Sequence, residues 1–247
     1  MIALDALQGH WQRNSLRGPG FKDSTTRVHW VQAGQWCADI RIPLARPDLA
    51  GAGSLSALSG ADLAVLLSAE GFAGRVVLAE DICTWQRTWN WRGFPCPVDA
   101  GKLWFDDSGH LIEDGVHAEY REDWQHAPGW PWTASAVQTD GADGMLVSSE
   151  TSFVLALGHR GSAALTSLRQ ALDDGDAVPA DAEPAFASVY VMGHWDGGQG
   201  IAELSTQPFC EGMSVLTCHE NHIRLTMPDF RGAHITRDLR LSALSTE

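Results

Sequence analysis

Residues 84–92 read Thr84-Trp85-Gln86-Arg87-Thr88-Trp89-Asn90-Trp91-Arg92. A strand sends successive side chains to opposite faces, so this period of two predicts a β-strand. Trp85, Arg87, Trp89 and Trp91 fall on one face; Thr84, Gln86, Thr88, Asn90 and Arg92 fall on the other. A guanidinium among indoles gains from cation–π contact, but it still needs a carboxylate or an anionic ligand to offset its desolvation. Arg87 is the first candidate site residue.

The same period recurs outward from this strand. Segments 28–32, 36–42, 76–81, 103–106 and 117–125 alternate in the first half; 144–159, 186–195, 201–206, 213–227 and 234–241 do so in the second. Turn signals such as Asp107-Ser108-Gly109, Asp114-Gly115 and Asp196-Gly197-Gly198 separate them. Two spans carry helical spacing instead: 59–70, with Leu63, Leu66 and Leu67, and 162–173, with Leu165, Leu168 and Leu172. They sit at equivalent places in the two halves, which suggests two related units. Two prolines within Pro128-Gly129-Trp130-Pro131 forbid continuous pairing there, and only Trp195 of the eleven tryptophans lies beyond Trp132. The chain therefore reads as all-β with two short helices, in two antiparallel β-barrel lobes. Residues 1–126 form the Trp-rich lobe, 127–143 a linker and 144–247 the second lobe.

Composition narrows the partners. With 17 Lys+Arg against 31 Asp+Glu the formal charge is −14, which disfavours nucleic acid and anionic membrane surfaces. No apolar stretch approaches the roughly 18 residues of a membrane-spanning helix. Met1 to Trp11 lacks the basic and apolar regions of a secretory signal. The five cysteines are odd in number and contain no CxxC pair, so a reducing cytoplasm is the expected compartment.

The polar residues that share a face with aromatics define the candidate site. In 117–125 that face is Ala118, Tyr120, Glu122 and Trp124, which makes Glu122 its acid. Arg13 is in phase with Trp11, and Gln32 with Val28 and Trp30; exposure at a strand end competes with a site role for both. The candidate ligand-binding set is Arg13, Trp30, Gln32, Trp85, Arg87, Trp89, Tyr120 and Trp124, with Glu122 and Arg87 as candidate catalytic residues. A buried Arg87–Glu122 pair that merely braces the barrel is the competing reading. Asp39 and Arg41 lie opposite Trp36, Ala38, Ile40 and Ile42, which predicts a solvated face, inverted if the barrel interior is polar.

No metal or cofactor is expected. His219 and His222 would point to opposite faces of a strand, and His117 shares its face with Glu119, Arg121 and Asp123, as a solvated surface would. His194 beside Trp195 reads as a satisfied turn histidine rather than a haem or proton-transfer residue. Gly197-Gly198-Gln199-Gly200 lies between strands and reads as a hairpin turn, not a phosphate cradle.

Three stretches carry a family resemblance: Tyr120-Arg121-Glu122-Asp123-Trp124-Gln125, the turn from Asp107-Ser108-Gly109 to Glu113-Asp114-Gly115, and Gly193-His194-Trp195. They resemble a fungal family, with bacterial relatives, named for interaction with a casein-kinase-type partner. The resemblance implies calycin- or lipocalin-like barrels in two lobes and assigns no catalytic residue. The expected function is binding of a small amphipathic, anionic or aromatic molecule in a Trp-lined cavity, oriented by Arg87. The alternatives are cofactor-free lyase, isomerase or hydratase chemistry with Glu122 as acid or base, sugar binding, and a protein-interaction module. The last would take a protein partner or a second copy through exposed Trp130 and Trp132.

Overall fold

Strong alternation and frequent turns give strands almost throughout. The computed structural model describes residues 2–127, 131–160, 163–219 and 222–245. The first half contains β1 (Gly9–Gly18), β2 (Phe21–Asp23), β3 (Arg27–Ala33), β4 (Trp36–Ile42), helix α1 (Gly60–Leu66), β5 (Glu70–Ala79), β6 (Ile82–Asn90), β7 (Asp99–Phe105), β8 (Leu111–Gly115) and β9 (Arg121–Ala127). β1 pairs with both β3 and β9, closing eight antiparallel strands into a barrel, with β2 a short flap on β1. The second half contains β10 (Thr133–Thr139), β11 (Ala142–Ser148), β12 (Ser152–Gly158), helix α2 (Thr166–Asp174), β13 (Val189–Asp196), β14 (Gln199–Ser205), β15 (Ser214–His219), β16 (His222–Pro228) and β17 (His234–Ser242). These eight strands also close, which removes the open edges of an antiparallel sheet.

Leaving β2 aside, each barrel is three strands, a helix and five strands, and the two helices pack on each other. The helical spacing over 59–70 extends less far than expected. Ser59 and Asp62 form a capping box, α1 ends at Leu66, and Glu70 already begins β5. The predicted linker is also shorter. β10 and the start of β11 occupy 133–143 because Val137 is a core residue of the second barrel. No helix among the described residues is long and apolar enough to cross a membrane.

The largest core lies between the barrels. Val31, Ala38, Ile40, Ala73, Trp89 and Trp91 of the first meet Met145, Val147, Val154, Ala156, Tyr190 and Met192 of the second, with Leu63 and Leu172 from the helices. The interior of the second barrel is apolar, built from Leu146, Phe153, Leu155, Val191, Leu216 and Leu225. β11 and β12 are thus buried on both faces, and read as apolar runs for that reason. The junction also decides the orientation of β4. Ala38, Ile40 and Ile42 face the other barrel, so Asp39 and Arg41 turn inward. The predicted solvated face is inverted.

One irregularity in β6 redistributes its tryptophans. Ala73 pairs with Trp89 and Gly74 with Arg87, so Thr88 is an extra, bulged residue. A bulge reverses the facing of the residues beyond it. Trp85 and Arg87 therefore point into the barrel, whereas Trp89 and Trp91 point out into the junction. Trp89 is removed from the candidate site for this reason. Gly74 permits the bulge, since a Cβ there would lie 2.0 Å from the Gln86 carbonyl oxygen and 2.9 Å from the Thr88 nitrogen. Gly74→Ala is expected to cost about 1–3 kcal/mol of stability through overpacking. An unchanged urea midpoint would show that the bulge does not need the glycine.

Candidate functional site

The interior of the first barrel divides into two halves. At one end Trp11, Trp30, Trp85 and Trp124 pack with Leu7, Val28, Phe72, Leu103 and Leu111. Trp85 and Trp124 meet Trp30 edge-on with ring centroids 5.5 Å and 5.9 Å away, and Trp11 stacks at 6.2 Å. The turn Leu4–Leu7 covers this end, and the Trp11 indole N–H donates to the Leu7 carbonyl at 2.8 Å. Gln32, fully buried, accepts from the Trp30 indole at 3.1 Å and donates to the Gly34 carbonyl at 2.8 Å. Gln32 is thereby a satisfied core group that fixes Trp30. Trp30, Trp85 and Trp124 fill this end of the barrel.

The other half is charged. Arg13 donates to Glu122 at 2.5 Å and to Asp23 at 2.7 Å, with the Arg13 and Glu122 side chains each 4% exposed. Arg41 donates to Asp39 at 2.8 Å and lies 3.9 Å from Glu122. Arg87 donates to Asp99 at 2.5 Å and lies over the Phe72 ring at 4.2 Å. Arg87 and Glu122 both face inward, yet each is paired with a different residue. Arg13 proves buried rather than exposed at a strand end. Among the described residues Glu113 makes no salt bridge. Its carboxyl accepts from the Tyr120 hydroxyl at 2.8 Å and from the Trp124 indole at 3.2 Å, opposite Glu122 in register.

Burial dominates the electrostatics here. It pushes the Asp39 carboxyl up to about 6 despite Arg41. Burial and then the neighbouring Glu122 and Asp99 hold Glu113 well above the usual carboxylate range. The Tyr120 hydroxyl is raised by burial and by Glu113. At Asp23 burial acts the other way from the Thr25 and Thr26 donors, and the donors win, keeping that carboxyl low.

The charged half opens at a cleft of about 320 Å³, lined by Glu70, Arg87, Asn90, Arg92, Asp99, the 95–98 loop, Ala164 and Thr166. The second barrel supplies part of its wall. The Ala164 and Leu165 amides donate to the Phe94 and Arg92 carbonyls at 3.1 Å and 3.0 Å. Gly93 allows this approach, with a φ of +76° and no room for a Cβ, which would lie 2.0 Å from the Ala163 oxygen. Arg92 is held by Glu70 at 3.0 Å and by the Ser68 and Ala69 carbonyls. Arg87 differs: its Nε is buried and has no hydrogen-bond partner among the described residues. A second cleft, about 520 Å³, lies beside Tyr120, Arg17, Gly18, Asp114 and Arg121.

Several participants escape the sequence reading. Alternation puts Asp39 and Arg41 on the wrong face because the apolar residues of β4 serve the junction. Glu113 reads as part of a turn; the signal that could have found it is Leu111-x-Glu113, facing Trp124 and Glu122 across a hairpin. Asp99 follows two prolines and shows no alternation of its own. Trp132 is buried in the junction, which removes it as an exposed contact residue, and Trp130 lies outside the described residues. His194 shares a hydrogen bond with Glu203 at 2.6 Å. Among the described residues no group of three or more His, Cys, Asp or Glu is placed to hold a metal ion.

Comparison with known proteins bears on the fold. No family model matches the chain, and no curated protein matches it. A solved structure does match: the uncharacterised protein YLR301w of Saccharomyces cerevisiae, with a TM-score of 0.54 and 10% sequence identity. The match covers 95% of this chain and 98% of the yeast chain, so it spans both barrels. At that identity the likeness is one of fold.

Proposed function

We propose that the first barrel binds a small amphipathic molecule at its charged mouth, with Arg87 as the anchor for a carboxylate or carbonyl oxygen. The observation that carries this reading is the asymmetry of the two barrels. The second interior is apolar, whereas the first buries Arg13, Asp39, Arg41, Glu113 and Glu122. Burying charge is costly and adds little net stability even when the charges are paired. Of the inward guanidiniums, Arg87 lines a cleft in which Pro95, Pro97 and Val98 offer an apolar wall, and its buried Nε has no partner among the described residues. The indoles act behind this site as a rigid floor.

Native mass spectrometry of freshly purified protein tests the reading by looking for a retained small molecule. Arg87→Met should weaken its binding about ten- to a hundredfold, the worth of a hydrogen bond to a charged group. Arg240→Met, on the second barrel, should leave binding unchanged. Arg92 is unsuitable as the neutral comparison because it lines the same cleft. Equal effects of the two substitutions would remove Arg87 from the site.

Cofactor-free acid–base chemistry is the second reading, favoured by one observation. Glu113 and Glu122 are adjacent carboxyls in opposite environments, one without a cation and one held by Arg13. Environments that separate two acids in this way suit an acid and a base. In this reading Glu113, rather than Glu122, is the proton donor. We also read the chain as a relative of the fungal casein-kinase-interacting family, supported by the 120–125 motif and by a two-barrel yeast chain of nearly equal length. A reducing, cytoplasmic setting fits the five free cysteines.

A further inference from the structure

We propose that the mouth cleft takes up one proton from solvent for each carboxylate ligand it binds, the proton resting between Asp99 and the ligand. This inference rests on the reading of the cleft as a ligand site and specifies how that site is regulated. It comes from an inventory of charge. Arg13 is committed to Asp23 and Glu122, Arg41 to Asp39, and Arg87 to Asp99, while Glu113 has no cation. Among the described residues, three inward guanidiniums therefore face five carboxyls, and each guanidinium already has an acid partner.

A carboxylate that docks on Arg87 from the cleft shares that guanidinium with Asp99, which lines the same cleft. Two anions would then rest on one cation whose side chain is 14% exposed. Two carboxyls held together in such a place do not both stay ionised; one keeps a proton, and the pair titrates as a unit. The groups around Asp99 do not relieve this. Arg92 at the rim is already neutralised by Glu70. Inside the barrel, Asp99 interacts electrostatically with Arg41, but also with Glu113, Tyr120, Cys37 and Cys83. Arg41 is itself held by Asp39. The only covalent change is an O–H bond formed on one carboxyl oxygen as the buffer acid in solution gives up its proton and leaves its conjugate base, with no redox partner required.

Benzoate and its neutral analogue benzamide are suitable probes, since a single ring suits a cleft of about 320 Å³ with proline walls. Isothermal titration at pH 6, 7 and 8, in buffers of different ionisation enthalpy, should report close to one proton taken up per benzoate. Benzoate affinity should fall about tenfold per pH unit, while benzamide affinity stays level. Asp99→Asn retains a hydrogen-bond partner for Arg87 and removes the competing charge. It should tighten benzoate binding and abolish both the proton uptake and the pH dependence. Asp238→Asn, at an exposed carboxylate of the second barrel, should leave the uptake in place, which ties the proton to Asp99. Arg87-dependent benzoate binding without proton uptake would overturn the coupling and leave the site standing. Absence of saturable binding by either probe would overturn the site and the coupling together.

Discussion

Arg13→Met is expected to lower the unfolding free energy by about 3–5 kcal/mol, the cost of leaving a buried charge without its partner. Arg13 and Glu122 contact at 2.5 Å with both side chains 4% exposed, so water cannot replace the lost guanidinium. Asp23, at 25% exposure, can rehydrate and adds little. Urea denaturation of the purified variant measures the loss. The double variant Arg13→Met/Glu122→Leu removes both charges and should recover most of it, because an apolar pair of similar volume often replaces a buried ion pair without penalty. A single-variant loss below about 1 kcal/mol would mean that Arg41, 3.9 Å from Glu122, takes over the pairing.

Acid should weaken the protein through a pair of histidines on the outer face of the first barrel. The His10 and His29 rings hydrogen-bond at 2.9 Å, and Trp132 meets His10 edge-on with ring centroids 6.0 Å apart. Burial, then His29 and His126, lowers His10 from 6.5 to about 3. Burial and Arg27 lower His29 to about 4, against an opposing pull from Glu203. Between pH 6.5 and 4 the unfolded chain therefore binds more protons than the folded one. The stabilisation is complete above pH 6.5 and is lost as the pH falls. Two rings shifted in the same direction lose this stabilisation together, so the pair removes several kcal/mol as the pH falls towards 4.

Asp39 and Glu113 act in the opposite direction, since their raised values make the folded state take up protons first as the pH falls. The absolute stability curve therefore mixes both signs, and the histidine contribution is read as a difference. Denaturation of wild type and of His10→Gln/His29→Gln at pH 7.5, 6, 5 and 4 isolates it. Below pH 6.5 the variant should gain on the wild type by about 1–3 kcal/mol per pH unit. A constant difference across that range would show that folding does not lower the proton affinity of the rings.

Local pattern reaches far into this fold. Alternation along 28–32, 36–42 and 84–92, the turn dipeptides and the two leucine-spaced helices suffice for two all-β lobes, because strand period and turn chemistry are properties of neighbouring residues. The inward placement of Arg13, Gln32, Arg87, Glu122 and Trp124 comes from the same rule. It fails at Trp89, where one bulged residue shifts the phase. It fails again at Asp39 and Arg41, where the apolar face of β4 belongs to the junction and not to the barrel interior.

Which residue pairs with which is a different kind of information. Glu122 meets Arg13 across β1 and β9, Arg87 meets Asp99 across β6 and β7, and Glu113 is left with a phenol and an indole. Those partnerships depend on barrel closure and on strand register between segments up to 109 positions apart. A one-dimensional pattern gives each strand its two faces. Packing against the second barrel chooses which of the two is buried in the junction, and so which charges are enclosed.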